Sequence, residues 1–384
     1  MATTKKKLLI GCSIALGVFL LLIVVGGFIG YRYFISPVIS ARAMPEVLQR
    51  TGVLVGEGFL SRSIYMQDTR LGTISDVKFG EFDPSPGPEI AIVGSRGALF
   101  VDANANAKSS VMFSVHAGHV EIVDVDGDGI SEYLDRGGGW QDVSLIDHKG
   151  NAIWTYGGRP GVDNISGGDI NRDGILDFVV GFNGGGGVRL LDSKGQEKWK
   201  QSGANVWHVE LVDVNDDGSV EIVHSNAAGE MVVRDKDGKI LHKAKPAPYF
   251  STFSLCRWPT KKARQYALLA ENDTIWLFDF FGKSVFQFDA PLAGKLGNAR
   301  GVPTRIQNKQ SEYFAVVVEF SNWNRSILYV YAPDKKLVYQ EIIPEACASI
   351  ASLSLDSKGQ ETLLVGCNGK VWKYSVEAGA TVRR

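Results

Sequence analysis

Three short runs of this chain carry residues whose types and spacing suit a hard cation. Asp124-Val125-Asp126-Gly127-Asp128-Gly129-Ile130-Ser131-Glu132 places Asp124, Asp126, Asp128 and Glu132 at positions 1, 3, 5 and 9, with glycine at 6. The pattern returns as Asp169, Asn171, Asp173 and Asp177 around Gly174, and as Asp213, Asn215, Asp217 and Glu221 around Gly218. Carboxylate and amide oxygens converging from so short a loop are what Ca2+ requires, and the glycine permits a turn that a Cβ would oppose. The carbonyl at position 7 (Ile130, Ile175, Ser219) would add one more oxygen. An EF-hand closes with a glutamate at position 12 and is flanked by helices. Here the closing acid is at 9 and a β-rich run follows, as in Glu221-Ile222-Val223-His224, so the loops join strands. One copy alone reads equally well as a hairpin turn, where Asp, Asn and Gly are favoured. Three copies with the same spacing favour Ca2+ as the cofactor.

The elements that position these loops repeat. The loops start at residues 124, 169 and 213, with a degenerate forerunner (Glu81, Asp83, Ser85, Glu89) starting at 81, giving steps of 43, 45 and 44. A second marker keeps the same period: Phe100-Val101-Asp102, Leu145-Ile146-Asp147, Leu190-Leu191-Asp192, Val233-Arg234-Asp235 and Phe278-Asp279. Four short strands fit one period, which is the plan of a propeller blade. Counting blades from Ser75 to the end, with fainter ones at 253–288, 302–343 and from 349, predicts an all-β, seven-bladed β-propeller of four-stranded blades over 75–384. Such a ring needs closing, and the strand-like run Phe59–Met66 is expected to complete the last blade. The intervening segment, 35–74, is otherwise expected to be a stalk.

The acidic loops, followed in the second copy by Phe-Val-Val-Gly-Phe-Asn-Gly-Gly-Gly-Gly (178–187), resemble the FG-GAP/VCBS repeats of the integrin α-subunit propeller and its bacterial relatives. The resemblance covers roughly residues 75–245; beyond it no acidic loop survives. The Asp-x-x-Gly-x-x-x-Trp element at 147–154 and 192–199 is also similar to quinoprotein-type and envelope-assembly propellers. The resemblance implies calcium loops that brace one face of the disc while ligands use the other. Metal in such a saturated oxygen site is structural rather than catalytic.

On that other face, Asp76, His119, Asn164 and His208 stand five residues before each loop, at the entries of the innermost strands. Loops carrying Arg136 to Trp140 and Asn183 to Gly187 are expected to converge there. A ring of His, Asp and Asn beside Trp140 and Asn183 would suit a sugar or a polar peptide; it would also suit a wet channel that binds nothing.

Ahead of the repeats, Leu8–Ile29 is apolar almost throughout, long enough to cross a hydrocarbon core of about 30 Å as a helix. Lys5, Lys6 and Lys7 precede it, so the positive-inside rule keeps the amino end in the cytoplasm and sends the propeller across. Residues 1–34 are therefore expected to be a cytoplasmic tip and uncleaved membrane anchor. The chain has a formal net charge of -1 and no basic stripe, which argues against nucleic acid. Of four cysteines, Cys347 and Cys367 would lie opposite each other if the turn at 356–359 joins antiparallel strands. A disulfide there is feasible in an oxidising compartment, with two buried free thiols as the alternative.

No nucleophile–base pairing or pair of catalytic acids stands outside the acidic loops, so no catalytic residue is assigned. The expectation is a membrane-anchored, extracytoplasmic, calcium-binding interaction or adhesion module for a protein or polysaccharide, not an enzyme. The alternatives are a polysaccharide lyase or hydrolase with His119 or His208 as base, and an envelope-assembly scaffold.

Overall fold

The structure, a computed structural model, describes residues 44–376 apart from 83–87, 116, 138–139, 259–263, 294–297, 308–310 and 356–359. The chain divides into Met1–Gln49 and Arg50–Arg384. In the first unit the described residues hold a short 3-10 helix, Glu46–Gln49; all the strands belong to the second. Among the described residues no helix is long and apolar enough to cross a membrane. The apolar run 8–29 expected to do so lies outside them.

The strands form seven antiparallel sheets. Outside the sequential blades stand β1 (Gly52–Val55) and β2 (Leu60–Gln67). Blade 1 is β3–β6 (Ile74–Gly80, Glu89–Gly94, Gly97–Val101, Ala107–Met112), and blade 2 is β7–β10 (Val120–Val123, Glu132–Asp135, Val143–Ile146, Ala152–Tyr156). Blade 3 is β11–β14 (Val162–Gly168, Asp177–Phe182, Gly187–Leu191, Glu197–Gln201), and blade 4 is β15–β18 (Val206–Val212, Glu221–Asn226, Met231–Arg234, Ile240–Ala244). Blade 5 is β19–β22 (Ser254–Arg257, Gln265–Glu271, Thr274–Phe278, Ser284–Asp289). Blade 6 is β23–β26 (Asn298–Thr304, Tyr313–Phe320, Arg325–Tyr331, Leu337–Ile343), and blade 7 begins with β27–β29 (Ser349–Leu353, Thr362–Gly366, Lys370–Val376). This is a seven-bladed β-propeller.

Burial explains the strand composition. In blades 1, 3, 4 and 6 the second strand packs on both faces, so β4, β12, β16 and β24 are buried from end to end; β4, β12 and β24 read as largely apolar runs, whereas β16 carries buried His224, Ser225 and Asn226. The outermost strands β6 and β14 are mostly exposed and carry Lys, Ser and Glu. The core lies between neighbouring sheets. Val93, Phe100, Ile122 and Tyr133 join blades 1 and 2, and Val179, Leu190, Val209 and Ile222 join blades 3 and 4. Between blades 5 and 6 the filling is aromatic: Trp258 stands 5.2 Å from Phe288 and 5.0 Å from Phe314. Each such side chain contributes about 1.5–3 kcal/mol when fully buried.

In blades 1 to 5 a recurrent Asp after the third strand makes the outer hairpin turn. Asp147 Oδ1 accepts from the backbone N–H groups of Lys149 (2.9 Å) and Asn151 (2.8 Å), and Asp192 and Asp279 do the same at their turns. Outer-strand tryptophans then tie each turn to its neighbour: Trp154 Nε1 donates to the Ser193 carbonyl (3.0 Å) and Trp199 Nε1 to that of Lys236 (2.8 Å).

The ring is closed from both ends of the chain. β2 pairs along its length with β29, from Leu60 opposite Val376 to Gln67 opposite Lys370, and so supplies the fourth strand of blade 7. β1 lies in the segment expected to be a stalk; it instead adds a fifth strand to blade 6 by pairing with β26. Four residues with a Gly start carry too little apolar alternation to reveal a strand. Cys347 and Cys367, just outside the paired ends of β27 and β28, are joined in a disulfide.

Candidate functional site

The innermost strands of all seven blades surround an axial cavity of about 370 Å3. Alternation decides what faces it: on each first strand, residues two apart share a face. Asp76 is followed by Lys78, His119 by Glu121 and His208 by Glu210, so each of these three blades places a pair of polar groups on one face.

These groups form one network, half-exposed at Lys78 and Glu121 and buried at Glu210 and His208. Lys78 Nζ lies 3.2 Å from Asp76 Oδ2 and 3.2 Å from Glu121 Oε1, and donates to the Ile122 carbonyl at 2.9 Å. Arg136 bridges two blades, with Nη1 3.1 Å from Glu121 Oε2 and Nη2 2.6 Å from Glu210 Oε1. Glu210 also takes a hydrogen bond from Ser166 Oγ (3.0 Å) and lies 2.9 Å from His208 Nε2. Burial alone would raise the Glu210 carboxyl; Arg136 and the His208 hydrogen bond outweigh it and hold it down to about 2. Arg136 is raised despite its burial by Glu210 and Glu121. Burial pushes His208 down in spite of Glu210, and it pushes His119 down together with the Arg300 charge. Both rings are therefore neutral near pH 7.

The four residues expected to ring the cavity separate into two pairs. Asp76 and His119 line it. Asn164 and His208 are instead buried between blades. Asn164 Oδ1 accepts from Val209 N (3.1 Å) and its Nδ2 donates to the Arg136 carbonyl (3.3 Å), while the His208 ring packs edge-on against Phe253 at 4.6 Å. The cause is period: these side chains stand where neighbouring first strands approach, and polar groups there satisfy the next blade's backbone. Ser75 Oγ does so with Val120 (2.7 and 2.8 Å), Ser254 Oγ with the Ala299 carbonyl (2.8 Å), and Ser349 Oγ, closing the ring, with that of Ile74 (3.1 Å). Trp140 and Asn183 stand outside the axial lining. Trp140 is 68% exposed with a left-handed φ of 68°, and Asn183 sits in the turn before Gly187, its side chain bonded to Asp163.

The acidic loops join first to second strands and so lie on the opposite face. Each uses left-handed residues at positions 4 and 6: Gly127 and Gly129, Arg172 and Gly174, Asp216 and Gly218. The first residue of each loop caps the backbone. Asp124, Asp169 and Asp213 each accept from the N–H of the position-6 glycine, at 3.1, 2.9 and 2.7 Å. The first loop suits a cation best. Oxygens of Asp124, Asp126 and Asp128 lie within 4.8 Å of one another, and burial together with those aspartates raises the Glu132 carboxyl, a clustering of like charge that a divalent ion would relieve. Ile130 follows with its N–H on Asp128 Oδ1 (2.7 Å).

The other two loops have local substitutes for a cation. Asn171 Nδ2 donates to Asp173 Oδ2 (2.9 Å), and Asp177 is paired with Lys198 Nζ at 2.8 and 2.9 Å. In the third loop Asn215 Nδ2 donates to Asp217 Oδ2 (3.0 Å), and Arg172 from the second loop reaches Ser219 Oγ at 2.8 Å. Glu221 accepts from Val214 N at 3.2 Å, as Glu132 does from Val125 N at 3.1 Å.

No protein family model and no curated protein sequence matches the chain. Among solved structures it is similar to BBS1N in complex with ARL6DN, at 13% identity and a TM-score of 0.51, covering 84% of this chain and 100% of that one. It is also similar to BamB from Moraxella catarrhalis (12%, TM-score 0.45, 86% of this chain and 92% of that one) and to the Neurospora crassa Pan2 WD40 domain (11%, TM-score 0.48, 85% and 98%). The likeness to BBS1N is one of fold: this chain is a β-propeller.

Proposed function

We propose that this protein is a membrane-tethered, extracytoplasmic interaction module whose propeller binds a protein partner on the face opposite its acidic loops, with calcium bracing the first loop. The observation that carries the reading is the exposure of Trp140 and Tyr249, 68% and 41%, on that face. Large aromatics left in water on a rigid frame are the usual anchors of protein interfaces. The charged axial network supports a framing role beneath them, since its acids and bases are largely paired with one another. His208, one of the two candidate bases, is likewise held by Glu210 and Phe253, which favours binding over catalysis. A propeller engages a protein partner in the BBS1N–ARL6DN complex, and the same mode is proposed for this chain. The FG-GAP resemblance and the apolar amino-terminal run supply the calcium and membrane parts of the proposal.

Site-specific photocrosslinking tests it. A benzophenone side chain placed at Trp140 in the full chain, in its host membranes, should capture a discrete protein adduct that the same probe at Asp128 on the opposite face does not. Identical adducts at both positions, or none at Trp140, would remove the reading.

A further inference from the structure

A second cavity, of about 470 Å3, opens between blades 4, 5 and 6. Its walls come from the entries to β15 and β23 and from the β18–β19 and β24–β25 connections, which places it on the Trp140 face. Trp207 and Tyr249 form one wall, with ring centroids 5.9 Å apart and planes inclined at 54°; the Tyr249 hydroxyl is fixed by donating to the Ala227 carbonyl (2.6 Å). Phe320 and Trp323 form the other, at 5.9 Å and 31°.

Between them lies Glu319, on β24 opposite Asn298 of β23. It is only 6% exposed, and among the described residues no hydrogen bond or ion pair reaches its carboxylate. Arg300, two register positions along the same sheet, lines the axial cavity and donates to the Ala299 carbonyl at 3.1 Å; its charge acts on Glu319 from there without a contact ion pair. A carboxylate withdrawn from water with no hydrogen-bond donor in contact is costly; the Arg300 charge offsets part of that cost from a distance, and a cation entering the cavity would offset it by direct contact. The aromatic faces carry the negative side of their quadrupoles and attract the same charge. A neutral sugar could stack on the rings but would add nothing to the compensation of the carboxylate charge.

We propose that this cavity is a binding site for an alkylammonium group, carried either by a lysine side chain of a protein, methylated or not, or by a free quaternary amine. The proposal deepens the reading of this face as a protein-binding surface, and rests on it only for the lysine source. The test is a titration of the purified full chain with choline, with its uncharged carbon isostere 3,3-dimethylbutanol, with glucose, and with short peptides carrying lysine or trimethyl-lysine. Binding is followed by calorimetry and by the fluorescence of Trp207 and Trp323.

Choline or a lysine peptide should bind at least 10-fold more tightly than the isostere and glucose, and Glu319→Gln should weaken that binding at least 10-fold. Trp323→Ala should weaken it too, with an unchanged circular dichroism spectrum certifying the fold of each variant. A peptide binding more tightly than choline assigns the group to a protein, and the reverse assigns it to a free amine. Equal binding of choline and isostere, indifference to Glu319→Gln, preference for glucose, or no binding at all would overturn the proposal. None of these results bears on a partner crosslinked at Trp140, which reads that face independently.

Discussion

Arg136 is the residue on which most of the axial charge depends, because its guanidinium neutralises carboxylates from two different blades. Its side chain is 21% exposed and that of Glu210 6%, so loss of the base leaves an acid in a poorly solvated place. Arg136→Met is expected to cost about 3 kcal/mol, read as a lower urea midpoint at unchanged slope, and the added change Glu210→Gln should recover part of it. Arg136→Lys keeps the charge but loses the two-pronged geometry and should fall between the two. Little of this was legible beforehand. His119 and Asp76 were found because they stand at a fixed distance before an acidic loop, but their partners Glu121 and Lys78 were not, although alternation on one strand would have named them. Arg300 and Glu319 lie in a blade with no acidic loop to count from. The aromatic walls could not be read either, since Trp207, Tyr249 and Trp323 are brought together by three blades far apart in the chain.

At the level of the strand and its loops, the period of about 44 residues was enough to place the blades because each repeat uses the same turn chemistry. Asp147, Asp192 and Asp279 are visible in sequence for the reason they matter in the fold: one carboxylate satisfies two backbone donors. The same logic separates the three acidic loops, which look alike in sequence. Lys198 comes from the outer strand of the blade to hold Asp177, and Arg172 crosses to the third loop, so internal cations compete with metal in two of the three. Calcium added to the chelator-treated protein is therefore expected to bind first and most tightly at Asp124, Asp126 and Asp128, raising the melting temperature. At a concentration of 100 times Kd the stabilisation is about 2.7 kcal/mol. Asp126→Ala should abolish that rise, whereas Lys198→Met should improve binding at the second loop; a melting temperature indifferent to calcium would mean that the loops serve only as turns.

Taken as a whole, the molecule is expected to lose stability as pH falls below neutrality. His224 is buried, and burial together with the Arg234 guanidinium, whose Nε donates to its Nε2 at 3.0 Å, pushes it from 6.5 down to about 4. The unfolded chain then binds more protons than the folded one between those values, so the penalty is absent above about pH 6.5 and grows as pH falls toward 4. The full shift corresponds to about 3 kcal/mol, to which His208 and His119 add in the same direction. Glu210, held at about 2 against an ordinary 4.5, adds a second loss on going below pH 4.5. Melting temperatures should thus be flat from about pH 7 to about pH 9, where Cys256 and the tyrosines buried in the folded protein begin to titrate in the unfolded chain, and fall in two stages below pH 7, with His224→Asn flattening the first stage; a constant value from pH 7 to 5 would contradict this assignment. Closure of the ring sets a separate requirement, one of timing. The hydrogen bond from Ser61 Oγ to the Ser375 carbonyl spans 314 residues, and at a ribosomal rate of 5–20 residues per second β2 emerges roughly 15 to 60 s before β29 exists. For that interval the nascent chain carries a strand without its native neighbour, so Leu60–Gln67 needs shielding until β29 has emerged to pair with it.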